Sequence, residues 1–261
     1  MTAALEASKL SLAFGGLKAV SEFSLVLEHK GLCGLIGPNG AGKTTVFNLL
    51  TGVYQADSGD IVLGGVRMNG KKPSLIAQAG LARTFQNIRL FGELNVLDNV
   101  RTAAGVRAQS GLWRSLLRTP LYLAEEQAIV ERCTELLDVL GIAHRAHEQA
   151  KSLPYGDQRR LEIARALATE PKVLLLDEPV AGMNTQEKHE MRALIEALRE
   201  QFGVSILLIE HDMGLVMEIC EHITVLDHGV TIAAGKPESI QSDPKVIEAY
   251  LGAPDEAEGA A

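Results

Sequence analysis

The sequence predicts an α/β protein with a mostly parallel core sheet, an N-terminal antiparallel β layer and a helical insert. Three observations carry that expectation. Short aliphatic runs alternate with stretches of helical spacing along most of the 261-residue chain. A glycine-rich turn over residues 37–42 separates an apolar run from a helix-forming one. Hydrophobic residues make up 46% of the chain and aromatics only 4%, so the core is aliphatic, as suits strands covered by helices on both faces.

The N-terminal runs Leu10 to Phe14, Ser24 to Leu27 and Ile61 to Leu63 are β-like and punctuated by glycine and charge, which predicts the antiparallel layer. Leu32 to Ile36 reads as a buried strand, and Thr44 to Leu50 as a helix stopped by Gly52. Leu81 to Phe85 reads as a further strand. Between Leu94 and Lys151 the period changes: Val130, Leu136, Leu137, Leu140 and Ile142 recur at helical spacing, with Gly111, Trp113 and Pro120 marking a break. The sheet resumes at Val173–Leu176, Ser205–Ile209 and Ile223–Leu226, with a helix over Gln186 to Phe202. Asp227-His228-Gly229 forms a hairpin turn into Val230–Ala233. Residues 1–252 are expected to form one domain, with the helical subdomain over about 94–170 within it. Residues 253–261, small and acidic, are expected to be a disordered tail.

A net charge of −8 argues against nucleic acid as the main partner. Cys33, Cys133 and Cys220 are widely spaced and show no ligand pattern, so they read as thiols in a reducing compartment. The first residues carry no signal-peptide run, and no stretch reaches the ~18 apolar residues of a spanning helix. The expectation is a soluble cytoplasmic chain whose link to a membrane runs through a partner.

Gly37-Pro38-Asn39-Gly40-Ala41-Gly42-Lys43-Thr44 fits the pattern of a phosphate-binding P-loop, with a strand before it and a helix after it. Glycines let backbone N–H groups curl around phosphate oxygens, and the helix start points its positive dipole end at the same anion. Lys43 supplies a point charge, and the Thr44 hydroxyl is a ligand for Mg²⁺. The apolar strand Val173–Leu176 ends in Asp177-Glu178. Asp177 is placed to hold Mg²⁺ through water, and Glu178 to orient and deprotonate an attacking water. The fold is therefore expected to be a P-loop NTPase core.

With these motifs in order, the sequence resembles the ATP-binding subunits of ABC transporters over nearly its whole length. The resemblance implies that Gln86 occupies the Q-loop position, reaching Mg²⁺ and sensing the membrane partner. It implies that His211 is the switch histidine at the γ-phosphate and that Phe14 stacks on adenine. Thr45 joins Thr44 and the loop residues in holding nucleotide. Leu153-Pro154-Tyr155-Gly156-Asp157-Gln158, running into Arg159–Leu167, aligns with the family's signature motif. That motif caps the ATP of the opposite subunit in a head-to-tail dimer.

Some residues depart from the family pattern. Pro154 replaces a serine and offers neither hydroxyl nor N–H. Asp157 replaces a glutamine, and Asn184 an aspartate. Phosphate capping then rests on the N–H groups of Tyr155 and Gly156 and on the helix start. Arg83 to Phe91, the Pro-Tyr-Gly signature, Glu210 to Met213 and Val246 to Gly252 are similar to the branched-chain amino acid importer branch. The implied partners are a second, identical or paralogous, ATPase, transmembrane permease subunits and, indirectly, a periplasmic or extracellular solute-binding protein. The implied location is the cytoplasmic face of the inner membrane. In that branch an exposed cluster at Leu112-Trp113 and Leu116-Leu117 would serve permease docking, and helical-subdomain core is the plainer reading.

Two other classes share part of this pattern. The first is an ABC ATPase of another transport system or a non-transport one. The segment from Gln86 to Leu153 is too short for the long coiled coil of chromosome-maintenance members. The second is a small-molecule kinase or GTPase, which shares only the P-loop, and no Asn-Lys-x-Asp guanine-reading motif is present.

Overall fold

The computed structural model describes residues 3–107 and 119–251. Among the described residues ten strands form one mixed sheet: β1 (Leu5–Phe14), β2 (Leu17–Leu27), β3 (Leu32–Ile36), β4 (Ser58–Leu63), β5 (Val66–Arg67), β6 (Leu81–Arg83), β7 (Val173–Asp177), β8 (Ser205–Ile209), β9 (His222–Asp227) and β10 (Val230–Gly235). The spatial order is β5-β4-β1-β2-β10-β9-β3-β8-β7-β6. From β9 to β6 every pairing is parallel. From β5 to β2 every pairing is antiparallel. The helices are α1 (Lys43–Leu50), α2 (Pro73–Ala79), α3 (Val96–Ala104), α4 (Pro120–Val139), α5 (Tyr155–Leu167), α6 (Thr185–Phe202), α7 (Met213–Ile219), α8 (Pro237–Gln241) and α9 (Pro244–Leu251).

The apolar runs of the central strands divide by parity, because side chains alternate across a sheet. Leu32, Ile36, Leu174, Leu176, Ile206 and Leu208 join one core, shared with α3, α4, α5 and α6. Cys33, Leu35, Val173, Leu175, Leu207 and Ile209 join the other, shared with α1 and the antiparallel layer. Two helix- or sheet-covered faces explain why these strands read as continuous aliphatic runs.

Several boundaries differ from the sequence reading. β1 begins at Leu5 rather than Leu10, because Leu5, Glu6 and Ala7 pair with both Leu27–Leu25 and Leu63–Ile61. β6 ends at Arg83 rather than Phe85, because the Phe85 N–H donates to the Glu162 carboxylate and leaves the ladder. Pro120 marks a break as expected, because it opens α4, where its missing N–H costs no intrahelical bond. The Asp227–Gly229 hairpin forms as expected, with His228 and Gly229 both at positive φ. Gly111, Leu112, Trp113, Leu116, Leu117 and the 253–261 tail lie outside the described residues. Among the described residues no helix is long and apolar enough to cross a membrane. Cys33, Cys133 and Cys220 are buried and free.

Candidate functional site

The site lies at the carboxyl ends of β6, β7, β3 and β8, where an open α/β sheet presents its loops. After the buried strand β3 the chain turns at Gly37, whose φ is +148°. A Cβ there would sit 2.0 Å from the Leu226 carbonyl oxygen of β9, so only glycine fits. Gly42, at φ +104°, caps α1 with no side-chain bond. The first-turn N–H groups of α1 are thus left to face an anion. Pro38, Asn39 and Gly40 form the rim, and Ala41 is buried beneath it. Lys43 is buried, and its ammonium donates to the Gly37 and Pro38 carbonyl oxygens at 2.6 and 2.9 Å. Burial lowers its pKa, while the Glu178 and Asp177 carboxylates act in the opposite sense. Thr44 is exposed and Thr45 half-buried on the same turn.

β7 delivers the acids. Asp177 is buried, and one carboxylate oxygen accepts from Arg83 at 2.7 Å. Arg83 also donates to the Asn48 amide oxygen of α1 at 2.7 Å and stacks over Phe47 and Phe85. The Asp177 N–H donates to the Thr84 hydroxyl at 3.1 Å. Glu178 follows in a left-handed conformation, φ +49°, held by its N–H to the Ile209 carbonyl at 2.9 Å. Such a backbone costs on the order of 1–3 kcal/mol in a non-glycine residue and clusters at functional sites. Its two carboxylate oxygens have different partners: His211 Nε2 lies 2.8 Å from Oε1, and Gln86 Nε2 donates to Oε2 at 2.9 Å. The three residues assigned catalytic roles from the sequence thus meet at one carboxylate.

Glu210, between β8 and His211, belongs to a stretch that carries the family resemblance but has no role assigned from sequence. It accepts the backbone N–H groups of Val180, His211 and Asp212, at 2.9, 3.0 and 3.4 Å. Burial raises its pKa above the usual carboxylate range, and these N–H groups pull the other way. It fixes the loop that carries His211 to the turn after Glu178. Tyr250 of α9 likewise has no role assigned from sequence; its hydroxyl meets the Gly37 N–H, and burial pushes its pKa up.

The remaining sequence-derived residues lie outside this cluster. Tyr155, Gly156 and Asp157 form the first turn of α5, capped by the extended Pro154 without a side-chain bond. Asp157 pairs with Arg145 at 2.8 Å, which offsets its negative charge. Asn184 opens α6 in a reciprocal capping box with Glu187, at 3.0 and 2.8 Å. Asparagine replaces aspartate there without loss of the cap. Phe14 is about half-exposed at the end of β1, edge-to-face on Tyr54 at 5.3 Å between centroids.

The Thr44 hydroxyl, the second Asp177 oxygen and the Gln86 amide oxygen are hard donors of the kind Mg²⁺ takes. Among the described residues no group of three or more His, Cys, Asp or Glu side chains gathers as a metal cage. A hydroxyl, a carboxylate oxygen and an amide oxygen fit an ion that keeps phosphate and water among its ligands, the usual habit of Mg²⁺.

Comparison with known proteins agrees with this arrangement. Residues 20–181 match the family profile described as ABC transporter. Residues 230–256 match that of the branched-chain amino acid ATP-binding cassette transporter. The chain is 46% identical over 248 residues to LivG of Salmonella typhimurium, a high-affinity branched-chain amino acid transport ATP-binding protein, covering 95% of this chain and 97% of LivG. It has the same identity and coverage with BraF of Pseudomonas aeruginosa, which bears the same description. Among solved structures it resembles the ADP conformation of MJ1267, an ATP-binding cassette of an ABC transporter. The TM-score is 0.84 at 30% identity, covering 97% of this chain and 100% of that one.

Proposed function

This chain belongs to the ABC transporter family of ATP-binding cassettes, and on that premise we propose that it powers import of branched-chain amino acids. The single observation that carries the hydrolytic reading is the Glu178 carboxylate, held in a strained backbone between Gln86 and His211 at the end of β7. The relatives' descriptions support the solute class.

In the proposed cycle the N–H groups of Asn39, Gly40 and Gly42 and the start of α1 bind the β- and γ-phosphates, and Lys43 turns from its loop carbonyls to them. Thr44, Asp177 and Gln86 would hold Mg²⁺, which when bound neutralises developing charge on the phosphoryl oxygens. Glu178 orients water in line with the γ-phosphorus and accepts its proton. His211 lies against the same carboxylate and keeps it aimed; Arg83 keeps Asp177 in register. Phe14 stacks on adenine. The N–H groups of Tyr155 and Gly156, with the Asp157–Arg145 pair beside them, cap nucleotide held by a second ATPase subunit. That dimer works at the cytoplasmic face of a membrane, against permease subunits fed by a solute-binding protein.

The test is uptake by proteoliposomes carrying this chain with its permease subunits and binding protein. Labelled leucine should accumulate only with ATP, and Lys43→Ala should abolish both uptake and filter-retained ATP. ATP-dependent uptake of a different solute class, with none of leucine, isoleucine or valine, would reject the proposed solute.

A further inference from the structure

The first turn of α5 and the Gln86 loop are joined by side chains that the hydrolytic reading leaves unused. Arg159 is buried to 2% exposure. Its Nη1 donates to the Phe85 carbonyl oxygen at 2.6 Å and pairs with Glu162 at 3.2 Å. Its Nη2 donates to the Gln86 carbonyl oxygen and to the Tyr155 hydroxyl, the latter at 3.0 Å. Glu162, also buried, accepts the N–H groups of Phe85 and Arg89 at 3.2 and 3.4 Å. Arg165, one turn on, donates to the Arg89 carbonyl oxygen. Backbone groups of residues 85, 86 and 89 thus bond to α5 rather than to a strand.

Tyr155 is the outer end of this chain of contacts. Its ring is exposed at the start of α5. A Cβ on Gly182, in the turn before α6, would lie 3.5 Å from that ring. The ring also lies under the Arg159 guanidinium, 5.5 Å from its centroid. At the inner end, the Gln86 side chain donates to Glu178. Three contacts therefore run from the helix start that faces a second subunit to the carboxylate that faces water: Tyr155 to Arg159, Arg159 to Gln86, Gln86 to Glu178.

We propose that Arg159, with Tyr155, is a positioning residue that ties the first turn of α5 to the Gln86 loop and so sets how Gln86 meets Glu178. This deepens the hydrolytic reading and rests on it. The planar guanidinium suits the task, since it bonds two successive carbonyls and a hydroxyl in fixed directions, which an ammonium does not. Load placed on the first turn of α5 by a partner's nucleotide then reaches Glu178 within one chain. Because spatial continuity alone does not establish coupling, the test is a double-mutant cycle.

The full chain is assayed for kcat and KM of ATP hydrolysis as wild type, Tyr155→Phe, Gln86→Ala and Tyr155→Phe/Gln86→Ala. A second cycle uses the paired change Arg159→Met/Glu162→Leu, which removes both members of the buried ion pair if single changes fail to fold. Each clamp variant should lower kcat roughly fivefold or more with KM for ATP held. In the Gln86→Ala background the same changes should cost nothing further. Losses that multiply with Gln86→Ala, or a change in KM alone, would overturn the clamp. An unaffected kcat in Gln86→Ala would overturn it too. Turnover retained by Glu178→Gln would instead strike the hydrolytic reading beneath it, so the two failures are distinct.

Discussion

Gln86 and Glu178, 92 positions apart in sequence, meet at 2.9 Å, amide nitrogen to carboxylate oxygen. The contact places the loop after β6 on the acid that follows β7, and His211 holds the other oxygen of the same carboxylate. On the proposed reading this carboxylate is therefore aimed from two sides by loops from separate strands. Moving either loop re-aims it without any change at the phosphate cradle.

The turn at Gly37 is predicted to be the least tolerant position of the cradle. Gly37→Ala combines a left-handed φ with a Cβ 2.0 Å from the Leu226 carbonyl, so β3 and β9 must separate locally. Urea unfolding should show a loss of about 3 kcal/mol, and ATP binding should fall with it. A variant as stable as wild type would show that the loop takes another path.

Arg83 should behave as a structural partner of Asp177. Both side chains are nearly buried, so Arg83→Leu strands a carboxylate and should cost about 3–5 kcal/mol of folding stability. Urea midpoints measure this directly. A loss below about 1 kcal/mol, the range of an exposed pair, would mean that the pair is open to solvent.

At Asn184 the expected effect is smaller and depends on chemistry. Asn184→Ala removes the capping-box acceptor of α6 and should cost about 1 kcal/mol, whereas Asn184→Asp should stay within a few tenths. Equal effects of the two substitutions in thermal unfolding would exclude the cap.

The buried thiols give a pH dependence. Burial, aided by the Glu221 and Glu28 carboxylates, pushes Cys33 from 9.0 up to about 11, and burial raises Cys220 as well. The folded state holds these protons longer than the unfolded chain does. The stability is thus fully present below pH 9 and is lost as pH rises from 9 towards 11, by up to about 1.4 kcal/mol per thiol per pH unit. Urea midpoints at pH 8, 9 and 10 should fall accordingly, and a Cys33→Ser/Cys220→Ser variant should flatten the slope. An unchanged slope in that variant would assign the titration elsewhere.

Much of the site is legible in sequence because its parts are local. The P-loop carries its strand, glycines and helix within one short segment, and Asp177-Glu178 ends an apolar run that reads as a strand by itself. Gln86 and His211 were reached through the order of motifs, since a glutamine or histidine after a strand has no signal of its own. What stayed hidden was the wiring. Arg83 pairs with an acid 94 residues away, and Arg159 bonds backbone atoms 73 and 74 residues away. Only the register of β6 against β7 and the packing of α5 bring them together. The Leu81–Phe85 run reads as one strand because nothing in the sequence reveals that Glu162 and Arg159 take over the backbone of Phe85.

The central claim is that Glu178 takes the proton of the attacking water at a nucleotide held by Lys43. The most direct measurement compares ATP binding and ATP turnover of the full chain in Glu178→Gln, which preserves shape and removes the base. The predicted result is retained ATP binding, turnover lower by roughly a hundredfold or more, and accumulation of an ATP-bound dimer. Near-normal turnover by Glu178→Gln would contradict the account.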